Sequence, residues 1–119
     1  NKIAHTAIQL VSKNNDETID LELEQLLCIK SEGNYLKIFY SLNHQVKSQL
    51  IRNSISNMEE YLKSFEQIKR CHRSYIINLD HVEKMTGNAR NLNLHIDHLN
   101  FSIPVSRNFP KDVLKKLEL

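Results

Sequence analysis

Tyr35-Leu36-Lys37-Ile38-Phe39-Tyr40-Ser41-Leu42 puts apolar side chains at every even position, Leu36, Ile38, Tyr40 and Leu42, with Lys37 and Ser41 alternating between them. A period of two belongs to a strand with one face in a core and the other toward solvent. Asn43-His44 then turns the chain. Beyond it Val46 and Leu50 are expected inside, while Gln45, Lys47 and Gln49 face out, so this stretch predicts a β-hairpin.

Strand patterns extend on both sides of it. Ala7-Ile8-Gln9-Leu10-Val11, the polar Asn14-Asn15-Asp16 and Thr18-Ile19-Asp20-Leu21 read as strand, turn and returning strand. Leu26-Leu27-Cys28-Ile29 suits a buried strand, and Ser31-Glu32-Gly33-Asn34 after it is a tight-turn cluster in which Gly33 or Asn34 takes a positive φ. The period then changes. Ile55, Met58, Leu62 and Phe65 recur at three and four residues, and Ser56-Asn57-Met58-Glu59 has the capping-box pattern, which predicts a helix near residues 54 to 64. Its outward residues Asn57, Glu59 and Glu60 are polar or acidic and would repel phosphate, so it is expected to cover the sheet rather than read DNA.

Ile68 to Ser74 is a basic stretch running into Tyr75-Ile76-Ile77-Asn78-Leu79, and Val82 to Met85 reads as a further strand. Thr86-Gly87-Asn88-Ala89-Arg90 is a turn. Leu92, Leu94 and Ile96 alternate before Asp97-His98 reverses the chain into Leu99, Phe101, Ile103 and Val105. Pro104 cannot donate to a ladder, so that strand must lie at an edge or end there. Ser106-Arg107-Asn108-Phe109-Pro110 opens a closing helix near residues 110 to 117, with Phe109, Val113, Leu114 and Leu117 as its apolar stripe. The fold class is mainly β, with antiparallel strands and two short helices.

Composition agrees with a packed chain. The 119 residues suit one domain, and 40% apolar residues with 25% charged, two Gly and two Pro exclude a disordered or fibrous state. A net charge of +2 is slight, so a nucleic-acid surface has to arise from local clustering. No run approaches the roughly 18 apolar residues of a membrane span, and Asn1-Lys2-Ile3-Ala4-His5 has no signal-peptide character. The expectation is a cytoplasmic domain without membrane contact of its own; because it opens without Met, it is expected to be part of a longer protein.

Chemistry-bearing motifs are few. Cys28 and Cys71 form no CxxC and sit in apolar or strand-like sequence, which predicts reduced core thiols. His95-Ile96-Asp97-His98 straddles a turn with no second ligand pair at finger-like spacing, so no metal or other cofactor is expected. No nucleophile elbow, phosphate-binding glycine loop, HExxH or dinucleotide fingerprint occurs. Cys71 and His72, adjacent at an apparent strand start, should point to opposite faces and form no thiolate–imidazole pair, so the chain is not expected to be an enzyme.

Three stretches carry a family resemblance. Ile29-Lys30-Ser31-Glu32-Gly33-Asn34-Tyr35, then Arg70-Cys71-His72-Arg73-Ser74-Tyr75-Ile76-Ile77-Asn78, then Ile103-Pro104-Val105-Ser106-Arg107 come in the order and spacing of the LytTR DNA-binding domain of bacterial transcription regulators, with a helix between the first two. The chain resembles that family over nearly its whole length, and the middle stretch is the most specific part. Lys30 stands where the family often has Glu. The resemblance implies an elongated antiparallel β fold that binds double-stranded DNA through loops inserted into major grooves. It also implies a place at the C-terminus of a response regulator, behind a receiver or sensor domain, with a homodimer on DNA as a further partner state.

By the resemblance, Arg73 and Arg107 fall on positions used against DNA, and Asn34, Tyr35 and Lys37 on the first contacting loop. Physical chemistry supports the arginines, because a guanidinium fork matches guanine O6 and N7 or two phosphate oxygens. Asn108 follows Arg107 on the same loop. Lys69, Arg70 and Lys47 are phosphate-contact or solvated candidates, and Asn88 and Arg90 decorate a third loop. His72 reads equally as a DNA-side residue or as a partly buried ring hydrogen-bonding the backbone, and Asn78 is expected to bond the backbone of the following turn. The competing reading is a protein-interaction module that uses a sheet edge and the last helix.

Overall fold

The computed structural model describes residues 6–88 and 90–117. Asn1 to His5, and Ala89 within the expected Thr86–Arg90 turn, lie outside them. Ten strands and two helices follow in order: β1 (Ala7–Val11), β2 (Thr18–Glu22), β3 (Leu26–Glu32), β4 (Tyr35–Leu42), β5 (Gln45–Arg52), α1 (Ile55–Leu62), β6 (Ile68–His72), β7 (Tyr75–Asn78), β8 (Val82–Thr86), β9 (Asn93–Ile96), β10 (Ile103–Pro104) and α2 (Lys111–Lys115). All pairings are antiparallel. A central sheet has the order β5-β4-β3-β7-β6, beside a β10-β9-β8 sheet and the β1-β2 hairpin. The extents of 41 × 40 × 27 Å are long in two directions and thin in the third.

Each face of the central sheet has its own core. On one, Leu26, Ile29, Leu36, Ile38 and Ile51 pack with Leu10 of β1 and with Met58 and Leu62 of α1. On the other, Cys28 and Ile77 pack with Leu94, Ile103 and Phe109. Two-sided coverage is why Phe39, an odd position of β4, is partly buried: its ring centroid lies 5.1 Å from that of Phe101. Each fully buried Leu or Ile contributes about 1.5–3 kcal/mol relative to an exposed one.

Several boundaries differ from the expectation for local reasons. Ser31 and Glu32 belong to β3, and the turn is Gly33-Asn34 alone, with Gly33 at φ 60. Asn43 and His44 do form the β4–β5 turn, both with positive φ (53 and 65), the signature of a two-residue primed turn. Leu50 points outward and is 56% exposed, whereas Ile51 is buried, because Ile51 pairs with Leu36 on the helix-covered face. The helix cap is Ser54, not Ser56; its hydroxyl accepts from the Asn57 backbone N–H at 3.1 Å. The strand after Asp97-His98 reduces to Ile103–Pro104 and lies at the edge of its sheet, as the missing proline donor requires. Cys71 and His72 end a strand instead of starting one, and Cys71 is the extra residue of a β-bulge between Arg70 and His72.

Asn78, 1% exposed, joins distant parts of the chain. Its amide donates to Leu23 O at 3.3 Å and Leu26 O at 2.9 Å, and its Oδ1 accepts from Asp80 N at 3.0 Å. The last of these is the turn bond expected from sequence.

Cys28 and Cys71 are free thiols, each 0% exposed, and burial pushes both up to about 12 from the ordinary 9.0. Neither should react with a thiol reagent at neutral pH until the domain is denatured. The sign follows from linkage: the unfolded chain ionises near 9 while the folded one holds its protons to about 12, so these groups erode stability as pH rises through that window. Denaturant titrations across it, compared with a variant lacking both cysteines, measure that contribution.

Candidate nucleic-acid interface

The loops at one end of the central sheet gather the cations. β3 runs two residues past its pairing of Lys30 with Tyr75, so the Gly33-Asn34 turn overhangs the Arg73-Ser74 turn that joins β6 to β7. Ser31 N donates to Ser74 O at 2.9 Å and locks the two turns together. The bulge at Cys71 re-aims the end of β6, and His72 Nδ1 accepts from Ser74 N at 3.1 Å, shaping the turn that projects Arg73. His72 is thus half-buried and bonded to backbone, and it packs edge-on against Tyr75 at 5.9 Å.

Arg107 reaches the same end from far along the chain. Val105 and Phe109 are buried on either side of it, Ser106 N donates to Cys71 O at 2.7 Å, and Asn108 N donates to Ser106 Oγ at 3.2 Å. This anchored turn leaves Arg107 and Asn108 exposed. Arg73, Arg90 and Arg107, from three separate loops, line one open depression of about 360 Å³ together with His72, Asn91 and Asn93. Among the described residues none of the three guanidiniums has an ion-pair partner. Gly87, at φ +96, is fixed at the base of the Arg90 loop because a Cβ there would come within 1.9 Å of Asn91 O.

The remaining candidates are placed differently. Arg70 is engaged: Nη1 lies 3.0 Å from Glu59 Oε1 and 3.3 Å from Ser56 Oγ, and Nη2 donates to Arg73 O at 2.8 Å. It ties α1 to the Arg73 turn. Asn34 is exposed on its turn, and Tyr35, 42% exposed, carries the Arg52 guanidinium 5.6 Å above its ring. Lys37 lies 5.5 Å over Phe39 and lines a second groove, of about 580 Å³, with Lys30, Lys47, Tyr75 and Phe101. Lys69 sits farther back along β6, outside the depression. Arg52, Asn91 and Asn93 carry no local sequence signal: Asn91 and Asn93 are marked only by the convergence of loops, and Arg52 only by its place over the Tyr35 ring.

An antiparallel β domain that collects unpaired arginines from separate loops at one end belongs to the class of domains built to meet a polyanion. Residues 16–118 match the LytTr DNA-binding domain family, and the chain belongs to that family, the DNA-binding part of response regulators in transcription regulation. It is similar over 101 residues, at 27% identity, to an uncharacterized response regulatory protein of Vibrio cholerae; the match takes in 84% of this chain and 38% of that relative. Its fold is similar to that of a LytTr DNA-binding domain from Bacillus cereus, with a TM-score of 0.63, 18% identity and coverage of 94% of this chain and 95% of that one. Among the described residues no helix is long and apolar enough to cross a membrane.

Proposed function

We propose that the domain recognises specific double-stranded DNA sequences by seating the loops at this end in the major groove. Arg73 and Arg107 read base edges, with Arg90 beside them and Asn108 at the rim. Asn34 on the overhanging turn, with Tyr35 and Lys37 on the strand that leaves it, forms a second contact region, and Lys69 neutralises phosphate. His72 and Arg70 act mainly by holding the Arg73 turn, which is where their hydrogen bonds go. The observation that carries this reading is the convergence of three unpaired arginines on one depression. The chain serves as the DNA-binding part of a longer cytoplasmic regulator whose receiver or sensor domain controls it; the greater length of the Vibrio relative supports this. Pairing of two domains on adjacent sites belongs to the same reading.

Salt dependence tests it against an apolar protein interface. Each phosphate that the loops neutralise, through Lys69 among others, should steepen the fall of the logarithm of affinity with the logarithm of salt by about 0.9. Binding titrations of a duplex over a range of salt measure the slope. A flat response would remove the polyanion reading and leave a protein partner.

A further inference from the structure

β5 (Gln45–Arg52) is an edge of the central sheet, paired with β4 on one side only. Its hydrogen-bond phase follows from the turn. In a two-residue hairpin the flanking residues, here Leu42 and Gln45, exchange both backbone bonds, so Gln45, Lys47, Gln49 and Ile51 bond inward to β4. Val46, Ser48, Leu50 and Arg52 therefore present N–H and C=O outward. Arg52 confirms the phase, because its carbonyl accepts from Lys13 N, off the sheet, at 2.7 Å. The open edge is thus Val46 to Leu50, closed at one end by Lys13.

We infer that this edge pairs with the same edge of a second copy, antiparallel and centred on Ser48. Outward groups must meet outward groups, which leaves few registers. Centring on Lys47 would set two lysines directly opposite, which is unfavourable. Centring on Gln49 would bring Val46 against Arg52, whose carbonyl Lys13 already occupies. Centring on Ser48 matches Val46 with the partner's Leu50, Ser48 with the partner's Ser48 and Lys47 with the partner's Gln49. It covers Leu50, which is 56% exposed and has no core role. The partner's Asn43-His44 turn carries its chain away just where Lys13 blocks the edge. A continuous ten-stranded sheet results, with the arginine loops at opposite ends and free. β5 carries a single lysine and no proline to discourage such pairing.

Sedimentation of the 119-residue chain should show a dimer fraction that grows with concentration. Ser48→Pro removes an outward N–H while sparing the ladder to β4, so its circular dichroism should be unchanged and the dimer lost. In the inferred register Ser48→Cys places two sulfurs on the symmetry axis, across a pair whose Cα atoms stand about 5.5 Å apart, within disulfide reach. Gln49→Cys sets its pair beyond the roughly 7 Å limit. Mild oxidation should therefore cross-link Ser48→Cys severalfold faster than Gln49→Cys. A chain monomeric at every concentration with no Ser48→Cys cross-link overturns the inference, as does a dimer that survives Ser48→Pro. Equal cross-linking of the two cysteine variants overturns the register.

Discussion

Asn78→Leu should lower the stability of the domain by about 3 kcal/mol, because it removes a buried amide whose hydrogen bonds are fully used. Leucine keeps the branching at Cγ but carries two bulkier methyl groups, so some overpacking adds to the loss from the polar groups left behind. The carbonyls of Leu23 and Leu26 lose a donor in a site closed to water, and Asp80 N loses its acceptor. Asn78→Asp separates these contributions. The carboxylate can still accept from Asp80 N, but it turns an oxygen toward two carbonyl oxygens, so it should be at least as destabilising as leucine. Urea denaturation of the three proteins measures both. A loss below about 1 kcal/mol in both variants would show that the amide is dispensable.

Arg73→Ala and Arg107→Ala should each weaken binding to a cognate duplex by about 1–3 kcal/mol and relax discrimination against altered sites. Lys69→Ala should weaken cognate and scrambled duplexes alike and reduce the salt slope by about one unit, as a backbone contact does. The two patterns differ because a guanidinium fork fits particular base edges, whereas an ammonium on a flexible stem supplies charge with little shape. Titration of each folded variant against both duplexes at several salt concentrations distinguishes them. Unchanged affinity in both arginine variants would refute their place in the interface. Arg70→Ala provides a structural comparison. Its bonds to Glu59 and Arg73 O hold the turn, so it should disturb the presentation of Arg73 and resemble a weaker Arg73 variant.

Much of the fold was legible because strand periodicity reports directly on burial. β1, β2, β4 and the Asn43-His44 turn, and the single proline-ended edge strand, followed from alternation and from the donor that Pro104 lacks. Leu50 and Ile51 were legible only in part. Both are apolar, and which one faces the core depends on the register with β4, set by a turn several residues away. The cap is hard to place from sequence for a similar reason: Ser54 and Ser56 are both followed by residues compatible with a helix start, and only backbone geometry selects Ser54. At the candidate interface, Arg73 and Arg107 stood out through motifs, and Arg90 only as one residue of a third loop. Arg70 has the same charge, but its partner Glu59 lies on a helix that approaches it only in the folded chain.

The hydrogen bond from Ser106 N to Cys71 O joins the Arg73 and Arg107 turns into a single caliper, although β7 and the whole β10-β9-β8 sheet separate them in the chain. The Arg90 loop is attached to this caliper through β8 and β9 but is no part of its hinge. Lengthening or shortening that loop would therefore leave the span between the two principal arginines unchanged. Under the proposed reading, editing that one loop would change what it touches while the gauge that sets the other two stays constant.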